Sequence, residues 1–300
     1  MEKKINIVQK GFNWKSKNHV EIHIKEVAHP VDKALVRVLE TTHVNELLKE
    51  PLNQLVAANY GATLANGIVL DGKNFPDLYG LLKLTAERLG IKIPYTVISN
   101  ELNGINAFAT GTDEKPFIVI SNLVPKLLGK EELQFIIAHE CGHIAMEHMV
   151  YHTAGSLAKM IGGYLPVIGP ALSNVAVFPL NCWNRCSEIT ADRIGLIVCG
   201  DLYKSQMALI KIIGGYTNVQ GVDVEHYITQ GRRIQNKQVL GKISEYFQSH
   251  PMIHKRLKAL EYFADSELYY KVTKKTPQEG RKLISTDQLN KKVDGLLSVL

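Results

Sequence analysis

One stretch constrains the fold of this chain most: residues 130–152, which read KEELQFIIAHECGHIAMEHMVYH. Its length and helix-forming content predict one long helix, with Glu131 and Glu132 in the first turn, where the helix dipole favours acidic side chains. His139 and His143 are four residues apart. On a helix they project from one face, one turn above the other, at a separation that suits a single zinc ion. We therefore expect this helix to carry a zinc site.

Glu140 follows the first of these histidines in the sequence HECGH, residues 139–143. A helix offsets its side chain from theirs, which keeps the carboxylate from binding the metal but leaves it near a water molecule that the metal activates. From that position a carboxylate can accept the proton as the water attacks a carbonyl group. The pattern HExxH therefore indicates peptide hydrolysis with Glu140 as the general base. The alternative is a surface helix that matches the pattern by chance.

A catalytic zinc site needs three protein ligands and one open position, so a third ligand must be found. Glu147 is too far along the same helix, roughly 12 Å from the first histidine, and His148 and His152 are rotated away from the zinc-facing side, where we expect them to pack or to form hydrogen bonds. Glu188, in the sequence RCSEITAD, is the better candidate, because a second helix can bring it across to the histidines. Asp192 follows one turn later on the same face, where it can accept a hydrogen bond from one zinc histidine. The alternative is a solvated helix face that carries both acids.

Two further motifs accompany HECGH and this ExxxD sequence. They are NAFATG at residues 106–111, and His250-Pro251 followed by Arg256. With all four motifs in this order between residues 95 and 263, the chain resembles the gluzincin metallopeptidases of the HtpX and CAAX prenyl protease family. Residues 1–92 and the C-terminal tail carry little of the resemblance.

The resemblance assigns roles to residues of the proposed centre. It implies that His139, His143 and Glu188 bind one zinc ion per chain. It also implies that Glu140 is the general base and that Asp192 orients a zinc histidine.

The resemblance further implies an edge strand that an extended substrate joins by backbone hydrogen bonds, a mode that tolerates many sequences. Its residues are Asn106, Ala107, Phe108 and Ala109. For His250 and Arg256 two interpretations stay open. Either one of them stabilises the developing oxyanion or holds the ExxxD helix in place, or they are a helix N-cap and a surface cation.

We expect an α+β fold that is predominantly helical, with a gluzincin peptidase core in which a small β-sheet accompanies the zinc helix and the ExxxD helix. Residues 1–92 indicate a helical accessory region, 93–265 the zinc peptidase domain and 266–300 a C-terminal extension. Three strands are predicted, the second and third joined as a hairpin through Gly111-Thr112-Asp113: Tyr95–Ser99, Ile105–Thr110 and Phe117–Ser121. Further helices are predicted at 183–199, 201–214, 223–232 and 251–263.

Met160 to Asn184 contains no charged residue and is about as long as a membrane-spanning helix. Glycines and prolines, Pro179 among them, are expected to interrupt any single helix through it. We therefore expect a buried or lid-like helical hairpin, with membrane contact through 160–184 as the alternative. The N-terminus lacks the apolar core of a signal peptide, so we expect a cytoplasmic location, with a peripheral membrane location as the alternative. Membrane members of the family carry spanning helices that this chain does not show.

The composition indicates a globular protein that folds without disulfides, since 45% of its 300 residues are hydrophobic. The net charge of +6 is scattered along the chain, which is poor evidence for nucleic-acid binding. Cys141, Cys182, Cys186 and Cys199 are expected to be reduced thiols, with metal binding by Cys182 and Cys186 as the alternative.

The functional prediction is a zinc-dependent endopeptidase that acts on a peptide or an unfolded protein, without a nucleic-acid partner. The alternative is a catalytically silent zinc module that binds extended peptides, as a chaperone does.

Overall fold

The chain is described by a computed structural model, in which helices predominate and one small sheet is present. The described residues are 23–41, 61, 63, 65–100, 102, 104–112, 115–149, 152, 169–215, 221–237 and 252–297. The helices are α1 Ile24–Val27, α2 Pro30–Thr41, α3 Pro76–Leu89, α4 Val124–Leu127, α5 Lys130–Ala145, α6 Gly169–Cys199, α7 Leu202–Gly214, α8 Val224–Lys237, α9 Ile253–Ala264, α10 Glu267–Thr273 and α11 Thr286–Leu297. The strands are β1 Gly67–Val69, β2 Tyr95–Ser99, β3 Ala107–Thr112 and β4 Lys115–Ser121. A predominantly helical α+β fold is therefore confirmed.

The four strands form one mixed sheet in the order β1-β2-β4-β3. Strands β2 and β4 are parallel, and the other two neighbouring pairs are antiparallel. The three predicted strands and the hairpin are confirmed, whereas the sequence does not predict β1, because three residues are too few for an alternating pattern. Strand β3 lies at one edge of the sheet, and it packs against α5.

The hairpin between β3 and β4 is tighter than the sequence predicts. Gly111 and Thr112 belong to β3 rather than to the turn, and Asp113 lies outside the described residues. Gly111 has a φ of 114°, and a Cβ at this position would lie 2.3 Å from the carbonyl oxygen of Lys115. Only glycine allows the two strands to approach this closely.

Helix α5 ends at Ala145, so the prediction of one helix reaching His152 is wrong. Glu147 takes a left-handed backbone conformation, with a φ of 59°. The backbone N–H of His148 donates to the carbonyl of His143 at 3.0 Å, and that of Glu147 donates to Ile144 at 3.1 Å. This pair of bonds is a Schellman turn, which usually has glycine at the left-handed position. The turn folds the chain back, so that His148 lies beside the last turn of α5.

Helices α5 and α6 pack against each other through a close approach of their backbones. A Cβ at Gly195 would lie 2.8 Å from the ring of Phe135, and one at Gly142 would lie 3.3 Å from Ile194. Both glycines therefore let the two helices come nearer than larger side chains would allow. Because these helices carry HECGH and ExxxD, their short separation brings the two motifs together.

Helix α6 begins at Gly169 and continues without a break through Pro179 to Cys199. The predicted interruption at Pro179 is therefore wrong, and the preceding residues 160–168 lie outside the described part of the chain. Nowhere in that described part is there a helix with the length and apolar run that a bilayer crossing requires. The hairpin, the membrane contact and the location of the protein stay predictions.

The C-terminal residues dock onto the rest of the protein. Leu289 and Val293 of α11 are fully buried, and α11 packs against α9. Helix α9 also packs against α6 and α7. This arrangement carries Arg256, near the start of α9, to the face of α6 that holds the ExxxD sequence.

Candidate metal centre

The two histidines of α5 and Glu188 of α6 converge in the interior. His139 Nε2 lies 3.2 Å from His143 Nε2. The Glu188 carboxylate spans the pair, with Oε2 at 3.5 Å from His139 Nε2 and Oε1 at 3.4 Å from His143 Nε2. All three residues are buried. Their ligand atoms form one of two groups in the described part of the chain that could hold a metal ion.

These separations fit a zinc ion. With bonds of about 2.0–2.1 Å and tetrahedral angles, two ligand atoms on one zinc ion lie about 3.3 Å apart. The three observed separations, 3.2, 3.4 and 3.5 Å, cluster around that value. The carboxylate contacts are longer than charge-assisted hydrogen bonds, which are about 2.7–2.9 Å. One shared cation would account for all three separations.

The outer nitrogen of His139 is held by Asp192 and Arg256. His139 Nδ1 lies 3.0 Å from Asp192 Oδ1. Arg256 binds the same carboxylate with two nitrogens, Nε at 2.7 Å from Oδ2 and Nη2 at 2.6 Å from Oδ1, and its Nη1 lies 2.9 Å from Glu188 Oε2. Burial, the largest single effect, raises the pKa of Asp192, but the charge and hydrogen bonds of Arg256 and the contact with His139 together hold that pKa below its usual value. Arg256 is buried, so it is not the surface cation of the second interpretation.

The outer nitrogen of His143 faces a different partner. His143 Nδ1 lies 3.0 Å from His148 Nδ1. The ring of His152 is also close, with its centroid 4.8 Å from that of His143, and its Nε2 lies 3.2 Å from Ser187 Oγ. His148 and His152 thus engage in hydrogen bonds, but His148 reaches His143 through the turn at Glu147 and not along a continuous helix.

Glu140 lies between the metal group and the edge strand. Burial raises the pKa of its carboxyl to about 7, and the positive charge of His139 opposes that rise. The backbone N–H of Ala109, in β3, donates a hydrogen bond to this carboxylate. A divalent cation nearby would lower the pKa, because it favours the charged form.

The edge strand begins next to Asn106. Its carbonyl accepts a hydrogen bond from the backbone N–H of Ser121 at 2.8 Å, so Asn106 faces β4. Backbone groups of an antiparallel edge strand alternate between the two sides, so those of Ala107 and Ala109 point away from β4. Phe108 is 37% exposed.

Some predicted residues lie outside what the structure describes. His250 and Pro251 are among them, so the two interpretations of His250 stay open. Cys141, Cys186 and Cys199 are free thiols, while the Cys182 side chain is outside the described residues. Metal binding by Cys182 and Cys186 stays a prediction.

A buried set of two imidazoles and a carboxylate, with another carboxylate beside it, is typical of metal-dependent hydrolases. The sequence pattern that defines Peptidase family M48 matches residues 73–264. The chain therefore belongs to peptidase family M48, and the resemblance to the HtpX-like gluzincins is confirmed.

Individual relatives agree with this membership. The chain is 30% identical over 217 residues to the plastoglobule-localized metallopeptidase 48 of Arabidopsis thaliana chloroplasts, and the match covers 71% of this chain and 62% of that protein. It is 26% identical over 208 residues to a protease HtpX homolog of Gemmatimonas aurantiaca, covering 61% of this chain and 71% of the relative. A protease HtpX homolog of Caldanaerobacter subterraneus is 26% identical over 235 residues, and the match covers 66% of this chain and 76% of the relative. No solved structure matches the chain.

Proposed function

We propose that this chain is a zinc-dependent endopeptidase whose substrates are peptides or unfolded proteins. The observation that carries the proposal is the convergence of His139, His143 and Glu188, with ligand atoms 3.2–3.5 Å apart in a buried space. These three residues would hold one zinc ion. A bound zinc ion would supply Lewis acidity, which lowers the pKa of water and polarises the scissile carbonyl.

Glu140 is the general base of the proposed reaction. Its carboxylate takes a proton from the attacking water and delivers it to the leaving amine. The hydrogen bond from the Ala109 N–H fixes the direction of this carboxylate. The base thus lies between the metal ligands and the strand that would hold the substrate.

Asp192 and Arg256 position His139 and Glu188. Asp192 accepts the outer N–H of His139, which fixes the orientation of the ring and leaves Nε2 for the metal. Arg256 binds both acids of the ExxxD sequence, so it holds Glu188 in register with Asp192. His250 is proposed as a further catalytic group on the resemblance alone.

The substrate would join β3 as an added strand. In the described part of the sheet, β3 pairs only with β4, and the backbone groups of Ala107 and Ala109 point to the other side. An extended peptide there forms backbone hydrogen bonds with Ala107 and with the Ala109 carbonyl, since the Ala109 N–H already donates to Glu140. Such backbone bonds bind many sequences. Because Ala109 also contacts Glu140, a peptide along this edge runs past the proposed base.

The test compares Glu140→Gln with a matched control, Glu131→Gln, which alters an exposed acid in the first turn of the same helix. The zinc-loaded proteins are incubated with a mixed peptide library, with and without a chelator. We expect the unaltered protein and Glu131→Gln to cleave, the chelator to stop cleavage and added zinc to restore it. Glu140→Gln should keep its zinc and lose activity by about 10²–10⁴-fold.

Two outcomes would contradict the proposal. Undiminished cleavage by Glu140→Gln would exclude this residue as the base. Binding of the library without cleavage by the zinc-loaded unaltered protein would favour the peptide-binding module.

A further inference from the structure

The outer nitrogen of His143 is the start of a second series of polar contacts that leads away from the metal group. We propose that His148 and Asp32 are positioning residues that hold the His143 ring in the orientation in which its Nε2 can bind the metal. The proposal rests on the proposed function, because it takes His143 as a zinc ligand. It assigns a role in the metal site to α2, which precedes the part of the chain that matches the family.

The distances determine which nitrogen carries each proton. His143 Nε2 faces Glu188 and His139, so metal binding there leaves the ring proton on Nδ1. This Nδ1 lies 3.0 Å from His148 Nδ1, so one nitrogen must donate and the other accept. His148 Nδ1 is therefore the acceptor, and the proton of His148 is on Nε2.

The next partner in this series, on the other side of His148, is a carboxylate. His148 Nε2 lies 3.1 Å from Asp32 Oδ1, in a bent contact that does not have the geometry of a linear hydrogen bond. Trp183 Nε1 donates to the same oxygen at 2.8 Å. Asp32 and His148 are both fully buried. Asp32 therefore attracts the proton-bearing nitrogen of His148, which turns the other nitrogen towards His143.

Two contacts anchor α1, α2 and the residues between them to α6, which carries Glu188. The backbone N–H of His29 donates to Thr190 Oγ1 at 3.0 Å. Arg193 Nη1 donates to the Val27 carbonyl at 2.9 Å. The segment that carries Asp32 is thus held by the same helix that supplies the third metal ligand. Both ends of the series of contacts from Asp32 to His143 are therefore held in place.

A competing interpretation makes His143, His148 and His152 a second metal site, since their ligand atoms lie within 4.8 Å of one another. With zinc on Nε2, His143 would have to bind another ion through Nδ1 and lose its ring proton. The Nδ1 to Nδ1 separation of 3.0 Å is also what a hydrogen bond between the rings requires. The observations therefore favour a hydrogen bond between the rings of His143 and His148 over a second metal site.

The experiment measures the zinc dissociation constant by competition with a chelator, in a matched pair of variants at one position. His148→Leu removes the acceptor, and His148→Gln keeps one at similar volume. We expect the dissociation constant to rise about 10–100-fold in His148→Leu, and His148→Gln to recover most of the affinity. Asp32→Asn should raise the dissociation constant by about tenfold, at the lower end of the range for such outer partners.

Glu132→Gln is the control for a general effect of altering a buried charge. Glu132 is a buried acid of α5 whose Oε2 lies 2.6 Å from Lys211 Nζ, at the other end of the helix from His143. It should lower thermal stability and leave zinc affinity unchanged. The second readout is the tautomer of His148 in the zinc-loaded protein, from nitrogen-15 NMR of labelled histidines. We expect the proton on Nε2.

Several results would overturn the proposal. These are equal zinc affinity in all variants, equal losses in His148→Leu and His148→Gln, a loss in Glu132→Gln as large as theirs, or a proton on Nδ1 of His148. A second zinc ion per chain that His148→Leu abolishes would favour the second metal site instead. An unaltered protein that binds no zinc would overturn the proposed function as well, which separates the two failures.

Discussion

Replacing Arg256 by methionine removes the cation that two buried carboxylates share. The guanidinium binds Asp192 through two nitrogens, at 2.7 and 2.6 Å, and Glu188 through a third at 2.9 Å. All three side chains are at least nine-tenths buried. Methionine has a similar length, so Arg256→Met removes the charge and the hydrogen bonds while leaving little empty space.

The expected loss of stability is large. Removing one partner of a buried ion pair costs about 3–5 kcal/mol, because the remaining charge is left without compensation in a dry site. Here two carboxylates lose their partner, so the loss of stability in the metal-free variant should lie at the upper end of this range, about 4–5 kcal/mol. In the zinc-loaded protein the metal balances the charge of Glu188, so the loss should be smaller. Arg256→Lys keeps a positive charge but loses the planar guanidinium that binds two carboxylates. Its loss of stability should therefore lie between those of the unaltered protein and Arg256→Met.

The assay is urea unfolding of each variant with a chelator and, separately, with zinc. Arg281→Met is the control, since Arg281 pairs with Asp265 at the surface, where the two side chains are 37% and 50% exposed. This control should lose no more than about 1 kcal/mol. Equal losses of stability in Arg256→Met and Arg281→Met, or the same loss with and without zinc, would show that Arg256 does not compensate the two buried carboxylates.

Three further predictions concern packing, pH and the metal. Gly195→Ala places a Cβ 2.8 Å from the Phe135 ring. Denaturant unfolding should therefore show that the free energy of unfolding falls by about 1–3 kcal/mol. The control is Gly72→Ala, where a Cβ meets no atom within 4 Å, and its free energy of unfolding should be unchanged. Burial lowers the pKa of His29 to about 4, so the unfolded chain takes up this proton first as the pH falls. The free energy of unfolding should therefore decrease between about pH 6.5 and pH 4, by at most about 3 kcal/mol. His29→Gln should make that decrease smaller. An unchanged pH profile in this variant would contradict the attribution of the decrease to His29. Zinc at about 100 times its dissociation constant should stabilise the protein by about 2.7 kcal/mol, and Glu188→Gln should lose this gain in a thermal melt.

The sequence predicts the pieces of this fold well where spacing alone decides the geometry. His139 and His143 are four positions apart, which places both on one face of any helix, and the same rule aligns Glu188 with Asp192. The strands are predicted for a similar reason, because runs of β-branched residues suit a pleated surface. Spacing within one helix does not predict how closely two helices pack. Here Gly142 on α5 and Gly195 on α6 allow the close approach of the two helices.

The errors of prediction have identifiable causes. The helix beyond Ala145 is mispredicted because the left-handed position of its terminal turn carries Glu147, where glycine is the usual signal. That turn redirects His148, so its contact with His143 has no sequence signal. Pro179 is accommodated within a helix that tertiary packing stabilises, which propensity alone does not anticipate.

Asp32 shows a further limit of sequence reasoning. It precedes the matched family region and belongs to no motif, so its position beside His148 follows only from the packing of α2 on α6.

We propose that three residues share one zinc ion, and anomalous X-ray diffraction of zinc-loaded crystals would locate that ion. We expect one anomalous peak per chain, within about 2.0–2.2 Å of His139 Nε2, His143 Nε2 and a Glu188 oxygen. A peak elsewhere, with Glu188 outside bonding distance, would contradict it.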